Sequence, residues 1–240
     1  MVMHRSQSRI VNTQGYLGIA LLLLLPIAVL TVRSGAWQQG LSLYALACAG
    51  SALLVVVALV LLLLPRYAQF RPDIFKRTLF ALPGALLLLS LLGNQGEIPP
   101  IHDISTDVVN PPEFVAALEQ RGPDANPIKV DADVINAQLA AYPEVKTLRS
   151  DLPLEEAFAN AVAVAKDMRW EIIREDLNAG VIEAVDTTRI MNFKDDVAIR
   201  VTTDEQGTLV DLRSVSRVGQ SDLGANAARI GDFLTRFQSR

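Results

Sequence analysis

The sequence predicts an α+β protein in two parts: N-terminal transmembrane helices, then a two-layer domain with an antiparallel sheet of four to five strands and helices packed on one face. Two observations support this prediction. Three stretches contain no charged side chain, although 20% of the 240 residues are charged. They are residues 10–32, 41–64 and 78–96. Residues 144–240 instead alternate β-rich runs with amphipathic helical runs. We therefore divide the chain into a membrane region (1–96), a stalk with short helices (97–143) and an α+β domain (144–240).

The membrane region contains three predicted transmembrane helices of unequal strength. Residues 10–32 are long enough, at about 1.5 Å per residue, to cross about 30 Å of hydrocarbon. Residues 41–64 end in an almost continuous apolar run. The third helix is shorter, because strongly apolar sequence covers only residues 79–92 and is interrupted by Pro83. A cleaved signal peptide is the alternative for the first helix, since small residues follow it at positions 34–36.

Basic residues in the connecting loops predict the orientation of these helices. Four lie between the second and third helices: Arg66, Arg71, Lys76 and Arg77. Only Arg33 lies between the first and second. Since cytoplasmic loops are enriched in Lys and Arg, we expect the N-terminus and the second loop in the cytoplasm. Three crossings then put residues 97–240 outside the cytoplasm, which for a multi-pass protein of the bacterial inner membrane is the periplasm.

Composition excludes several classes of function. Residues 97–240 carry 25 acidic and 15 basic side chains, so they would repel the phosphate backbone of a nucleic acid. Cys48 is the only cysteine, so no intrachain disulfide can form. The sequence has no glycine-rich phosphate loop and no dinucleotide-binding fingerprint. We predict neither a cofactor nor a metal site.

The segment that follows the membrane region is predicted to be extended. Two consecutive prolines exclude a helix at its start, and adjacent residues of an extended chain point in opposite directions. His102, the only histidine of this part, is therefore not expected to act with Asp103 as a catalytic or metal-binding pair. A short helix is predicted over residues 113–121, and a further helical piece over residues 134–139 is left open.

The remaining sequence has a regular pattern. An edge strand is predicted over residues 145–149 and an amphipathic helix over residues 154–168, where apolar side chains recur three and four residues apart. Four β-rich runs follow, at residues 170–175, 181–187, 197–203 and 209–216. Turn residues separate the runs, which predicts antiparallel pairing between neighbours. A final helix is expected to begin at Ser221 or Asp222 and to reach Phe237.

Several runs in the soluble part carry a resemblance to a known family. They are IPPIHDISTD at residues 98–107, Phe193-Lys194-Asp195-Asp196, Val210-Asp211-Leu212-Arg213-Ser214, Ser216-Arg217-Val218-Gly219, Ser221-Asp222-Leu223-Gly224 and Asn226-Ala227-Ala228-Arg229-Ile230. In this order they resemble the bacterial family catalogued as domain of unknown function 1499, some members of which carry membrane segments. The family has no established activity. The resemblance therefore implies a fold boundary and leaves the function open.

The most distinctive polar cluster lies between the last strand and the last helix. Its candidate ligand-binding residues are Arg213, Arg217, Ser221, Asn226 and Arg229. By strand alternation, Arg213 and Arg217 share one face of the sheet. Arginines beside the free amide groups of a helix start predict a site for an anion or a lipid headgroup. The alternative is structural, with Arg217 and Arg229 joining strand to helix. Asp222 and Asp196 are the candidate partners.

Carboxylates form a second candidate site. Asp195 and Asp196 are adjacent, and two further carboxylates, Asp211 and Glu183, lie on neighbouring predicted strands. Paired carboxylates of this kind would serve an envelope hydrolase. The alternative is a set of structural ion pairs across the strands. The residues predicted to form such pairs are Asp195, Asp196, Arg200, Asp211 and Asp222.

These observations predict a non-catalytic binding or assembly module of the cell envelope. An envelope hydrolase and a sensor of an anionic ligand are the alternatives. The expected partners are the lipid bilayer and either an envelope protein or an anionic lipid headgroup. Converging carboxylates in a cleft would favour the enzyme, whereas a flat apolar patch would favour a protein partner.

Overall fold

The computed structural model describes residues 8–93, 98–129 and 131–240, which belong to two compact units, Met1–Gly96 and Glu97–Arg240. The N-terminal unit consists of helices. They are α1 (Arg9–Arg33), α2 (Trp37–Leu63), a 3-10 helix (Pro65–Phe70), α3 (Arg71–Thr78) and α4 (Leu82–Gly93). α1 and α2 are both long and apolar enough to cross a membrane, in agreement with the first two predicted spans.

The third predicted span, residues 78–96, is interrupted. The helical stretches Pro65–Thr78 and Leu82–Gly93 are bent by 65° at the break between them, and only together do they have the length and composition of one further span. Pro83 explains the break, because its ring excludes a helical carbonyl four residues earlier and it has no amide hydrogen to donate. Residues 94–96 lie outside the described residues.

Glycines let the helices of the N-terminal unit approach each other closely. A Cβ on Gly40 of α2 would lie 2.6 Å from the backbone nitrogen of Val32 in α1. A Cβ on Gly84 of α4 would lie 2.4 Å from the hydroxyl oxygen of Ser51 in α2. Small residues at such contacts are typical of helices that pack inside a bilayer.

The described part of the C-terminal unit contains six strands and four helices. In chain order they are β1 (Asp103–Ser105), α5 (Ala116–Gln120), α6 (Ala132–Ala141), β2 (Leu148–Ser150), α7 (Leu154–Asp167), β3 (Glu171–Asp176), β4 (Val181–Thr187), β5 (Lys194–Asp204), β6 (Gly207–Ser216) and α8 (Ala225–Gln238). The predicted α+β class and the predicted order of one strand, a helix, four strands and a helix are confirmed for the part after α6.

The strands form one antiparallel sheet. β3 to β6 make a meander in which each strand pairs with the next along the chain. β1 and β2 share the remaining edge of β6, with β1 opposite residues 213–215 and β2 opposite residues 208–210. The prediction of four to five strands omitted β1, because three residues that closely follow two prolines show no recognisable alternation.

The main apolar core lies between the sheet and the pair α7 and α8. Ile199 and Leu212 of the sheet and Ile230 of α8 are fully buried there. Trp170 stacks on Phe233, with ring centroids 5.5 Å apart. Complete burial of an isoleucine, leucine or phenylalanine side chain stabilises a fold by about 1.5–3 kcal/mol. The two predicted layers are therefore present, and this face of the sheet supplies most of the apolar burial.

Residues 98–143 do not form the predicted stalk. Ile101 and Ile104 are buried in the main core. The Gln138 side chain of α6 binds both backbone groups of Ser105, donating to its carbonyl at 2.6 Å and accepting from its amide at 3.0 Å. The predicted boundary at residue 144 is therefore too late. The two prolines make the chain extended, and an extended chain can continue directly as a β-strand, which it does in β1.

Residues 107–128, which we call the strap, cover the face of the sheet opposite α7 and α8. Phe114 and Ala117 of the strap pack against Ala198 and Val215 of the sheet. The sequence predicted helices on one face only and assigned this segment to the stalk. The strap was missed because most of its contacts with the sheet are polar. Its sequence therefore shows little of the apolar periodicity that predicts a packed segment.

The last helix begins later than predicted. Leu223 and Gly224 have left-handed backbone conformations, with φ of 54° and 82°, so the helix starts at Ala225. The Asp222 side chain caps it from outside, accepting from the backbone amides of Gly224 and Asn226, each at 2.8 Å. Leu223, which the predicted helix includes, lies before the observed helix and is exposed.

Candidate functional site

The sheet divides the predicted ligand-binding cluster between its two faces. Arg213 and Arg217 donate to backbone carbonyls of the strap. Asn226 and Arg229 lie in α8 on the opposite face, where both contact the hydroxyl of Ser214. Ser221 lies in the loop before α8 and accepts from a backbone amide two residues later. The five residues therefore do not converge on one ligand.

On the strap side, Asp196 is the centre of an ion cluster. Its buried carboxylate accepts from Arg217, with Nη2–Oδ1 at 2.6 Å and Nε–Oδ1 at 3.0 Å. Arg121 of the strap donates to the same carboxylate. Arg217 also donates to the backbone carbonyl of Gln120 at 3.2 Å. The cluster joins β5 and the end of β6 to the strap.

Glu183 of β4 holds the start of α5. Its carboxylate is fully buried and accepts from three successive backbone amides at 2.9–3.1 Å: Val115, Ala116 and Ala117. Arg174 lies 3.3 Å from the same carboxylate. Amides at a helix start have no partner within the helix and favour negative charge. Glu183 therefore caps the N-terminus of α5, although it lies on β4 and not next to the helix in the sequence. The sequence identified Glu183 only as a carboxylate, because partners 66–68 residues away produce no local pattern.

Two further arginines of the sheet are paired on the strap side. Arg213 binds Asp103 through contacts of 2.6 and 3.0 Å. Arg200 lies 2.8 Å from both Asp107 and Asp211. Burial raises the pKa of Asp107, but backbone hydrogen bonds and Arg200 outweigh it and leave this pKa below its ordinary value. The contacts with Asp103 and Asp107 fix β1 and the strap to the sheet, and the contact between Arg200 and Asp211 joins β5 to β6.

On the helix side, Arg229 bridges two carboxylates. Its Nε lies 2.8 Å from Asp186, and its Nη2 lies 2.5 Å from Asp195. Because adjacent strand residues point to opposite faces, Asp195 and Asp196 bind different arginines on different sides of the sheet. The two carboxylates cannot act together on one scissile bond, which would have to lie between them on a single face.

The contribution of Asp222 to the stability of the fold depends on pH. Burial raises its pKa above the ordinary carboxyl value in spite of its two backbone hydrogen bonds. A raised folded-state pKa means that the folded protein binds this proton more tightly than the unfolded chain does. Stability therefore falls as the pH rises from about 3.9, the unfolded value, through the folded-state pKa.

Replacing Asp222 with asparagine tests this sign. Asparagine retains a capping oxygen but does not titrate, so the variant should gain stability relative to the parent as the pH rises from 3 to 7. Thermal melts of the two full-length proteins at a series of pH values measure the difference. A stability difference that stays constant with pH would show that folding does not shift the pKa of Asp222, and a change in the parent's favour would show that folding lowers it.

Open cavities lie on the surface of the C-terminal unit. One, of about 400 Å³, is lined by Arg169, Arg189, Arg229 and Arg236 together with Trp170, and we call it the arginine cleft. His102 lines another, of about 390 Å³, which also contains Lys129. Among the described residues, no group of three His, Cys, Asp or Glu side chains is arranged to hold a metal ion. The arginine cleft was not recognised from the sequence, because its arginines come from three separate segments.

The N-terminal unit has two helices that are long and apolar enough to cross a membrane, and the C-terminal unit is an α+β domain whose parts are joined by ion pairs. This combination is that of a membrane-anchored protein with one α+β domain. Residues 103–237, more than half of the chain, match the family model described as Protein of unknown function (DUF1499). The chain belongs to this family, and the resemblance found in the sequence is confirmed. The match runs from β1 into α8 and includes the strap. A comparison with curated proteins gave no match.

Proposed function

We infer that the protein is anchored in the bacterial inner membrane with its N-terminus in the cytoplasm. Its C-terminal unit then lies in the periplasm and acts as a non-catalytic binding module of the cell envelope. The distribution of basic residues carries this proposal. Those at one end of the helix bundle are Arg9, Arg66, Arg71, Lys76 and Arg77. The packing of Val11, Leu61 and Ile74 brings these segments to the same end. At the other end of these two helices, where α1 leads into α2, the single basic residue is Arg33, the last residue of α1.

Contacts along the bundle support a complete crossing by the third segment. Ile74 of α3 packs at the end of the bundle that contains the start of α1. Phe80 comes next and lies against Gly18, further along α1. Gly84 then packs against Ser51 and Ala47, near the middle of α2. The chain therefore advances steadily from the basic end of the bundle.

The rest of α4 is long enough to complete this crossing. Nine residues follow Gly84 in α4, and at about 1.5 Å per residue they add about 13 Å. Continued in the same direction, they reach about the level of Gly40, in the first turn of α2. Broken helices of this kind occur in membranes where neighbouring helices cover the interrupted backbone.

The ion pairs of the sheet support a non-catalytic role. The carboxylates considered for catalysis are each bound to arginine: Asp195 to Arg229, Asp196 to Arg121 and Arg217, and Asp211 to Arg200. Their side chains are at most 6% exposed. A general acid or base has to reach the substrate proton within hydrogen-bonding distance, directly or through one water molecule. Groups that are enclosed and bound to arginine do not meet this requirement.

Reporter fusions test the proposed orientation. Alkaline phosphatase joined after Arg240 is expected to be active, since it matures only outside the cytoplasm. A fluorescent protein that folds only in the cytoplasm should stay dark at the same position. Fusions after Gln69, in the basic loop, are the matched control and should give the opposite pair of results. Fluorescence after Arg240 without phosphatase activity would mean that the third segment does not cross.

A further inference from the structure

We propose that the arginine cleft binds a phosphate group, either of a free phosphate compound or of an anionic lipid headgroup. The proposal rests on the binding role inferred above and names its ligand. The lining of the cleft combines the apolar side chains of Trp170 and Met168 with those of four arginines. A phosphate attached to a carbon skeleton matches both kinds of side chain.

Three segments build the cleft. The connection between α7 and β3 supplies Arg169 and Trp170, and the connection between β4 and β5 supplies Arg189. The third segment is α8, on which Arg229 and Arg236 lie on the side that faces the cleft. Ala225 and Ala228, also on this side, leave the space between the arginines open, because their side chains end at Cβ. The cavity of about 400 Å³ is large enough for a small phosphate ester.

The arginines that line the cleft differ in their exposure and in their ion pairs. Arg169 and Arg236 are exposed, and neither side chain forms a hydrogen bond or an ion pair with another described residue. Arg229, in contrast, is buried and already bridges two carboxylates. Guanidinium groups match the oxygen geometry of phosphate through two parallel hydrogen bonds. The exposed arginines are therefore the groups available to a ligand.

The acidic residues of the cleft do not cancel this charge. Asp186 is bound to Arg229 and Asp167 to Arg240, while Asp232 also lines the cleft. The lining contains four arginines and three aspartates, whereas the sequence from Glu97 onward has 25 acidic and 15 basic residues. The cleft is thus a cationic surface on an acidic domain, and such a local field attracts anions.

Arg169 has a backbone conformation that favours glycine. Its φ is 64°, and it follows Met168, the residue that caps the C-terminal end of α7. The amides of Arg169 and Trp170 donate to the carbonyls of Lys166 and Ala165, which is the hydrogen-bond pattern of a helix end closed by a left-handed residue. Glycine adopts this conformation without a steric cost. An arginine here lowers stability but directs a guanidinium to the cleft.

Fluorescence of Trp170 in the full-length protein in detergent tests the proposal. Trp37 is replaced by phenylalanine, so that Trp170 is the only tryptophan. Glycerol phosphate and mixed micelles of phosphatidylglycerol are the probes, with phosphatidylcholine micelles as the neutral-lipid control. We expect a saturable change with at least one anionic probe. A response to both identifies a free phosphate ligand, and a response to phosphatidylglycerol alone identifies a lipid headgroup.

Two variants separate binding from folding. Arg169→Gly should raise the melting temperature, because glycine suits the left-handed position, and should weaken binding at least tenfold. Arg236→Gln should weaken binding with an unchanged melting temperature. Arg149→Gln is the matched control, an exposed arginine paired with Asp204 away from the cleft, and should bind like the parent. The proposal is overturned if no anionic probe changes the fluorescence, or if Arg169→Gly and Arg236→Gln bind as the parent does.

Discussion

Replacing Arg217 with alanine is expected to lower the free energy of unfolding of the C-terminal unit by about 3–5 kcal/mol, the typical cost of removing one partner of a buried ion pair. The side chain of Asp196 has no exposed surface and, among the described residues, would retain Arg121 as its one charged partner. The carboxylate cannot recover the lost contacts from water without opening the strap. A large fall in the melting temperature of the full-length protein is the expected measurement.

Arg149→Ala provides the control for this variant. Arg149 also pairs with an aspartate, Asp204, but both side chains are more than one-third exposed. Solvent screens an exposed pair so strongly that it contributes little to stability, and the control should therefore melt close to the parent. If Arg217→Ala melts like Arg149→Ala, then Asp196 does not depend on Arg217. The cluster would have to be reconsidered as an anion site.

Replacing Glu183 with alanine should release the strap. The variant leaves three backbone amides at the start of α5 without their acceptor, at a cost of about 1–3 kcal/mol for each amide that stays buried. We therefore expect a large loss of stability and, in the surviving folded protein, fast hydrogen exchange at residues 115–117. Glu171→Ala, on the exposed side of β3, is the control and should leave this exchange slow. Slow exchange in Glu183→Ala would show that the apolar contacts of Phe114 are sufficient to hold the strap.

The sequence was a good guide wherever the chain pairs with its neighbour. The predicted strand over residues 181–187 coincides with β4, and the predicted helix over residues 154–168 differs from α7 by one residue. In both, a local alternation reports which side faces the core. β1 and the strap have no such alternation. Their positions depend on contacts about 70 to 110 residues away, such as those of Arg213 with Asp103, which local patterns do not contain.

The candidate site was predictable only in part, for the same reason. Strand alternation correctly separates Arg213 from its neighbour Ser214, but it does not show which face α8 covers. The sequence therefore grouped Arg213 with Arg229, which the sheet keeps apart. It also left Arg217 with two possible partners. The choice of Asp196 over Asp222 follows from the register of β5 against β6, a property of the folded sheet.

Cysteine labelling tests the orientation of the C-terminal unit most directly. Cys48 is the only native cysteine, so a Cys48→Ser background allows one new thiol at a time. The two positions are Ser239, exposed in the C-terminal unit, and Gln69, exposed in the basic loop. In intact spheroplasts, a membrane-impermeant maleimide should label Ser239→Cys and should reach Gln69→Cys only after lysis. Labelling of Gln69→Cys with protection of Ser239→Cys would contradict the proposed periplasmic domain.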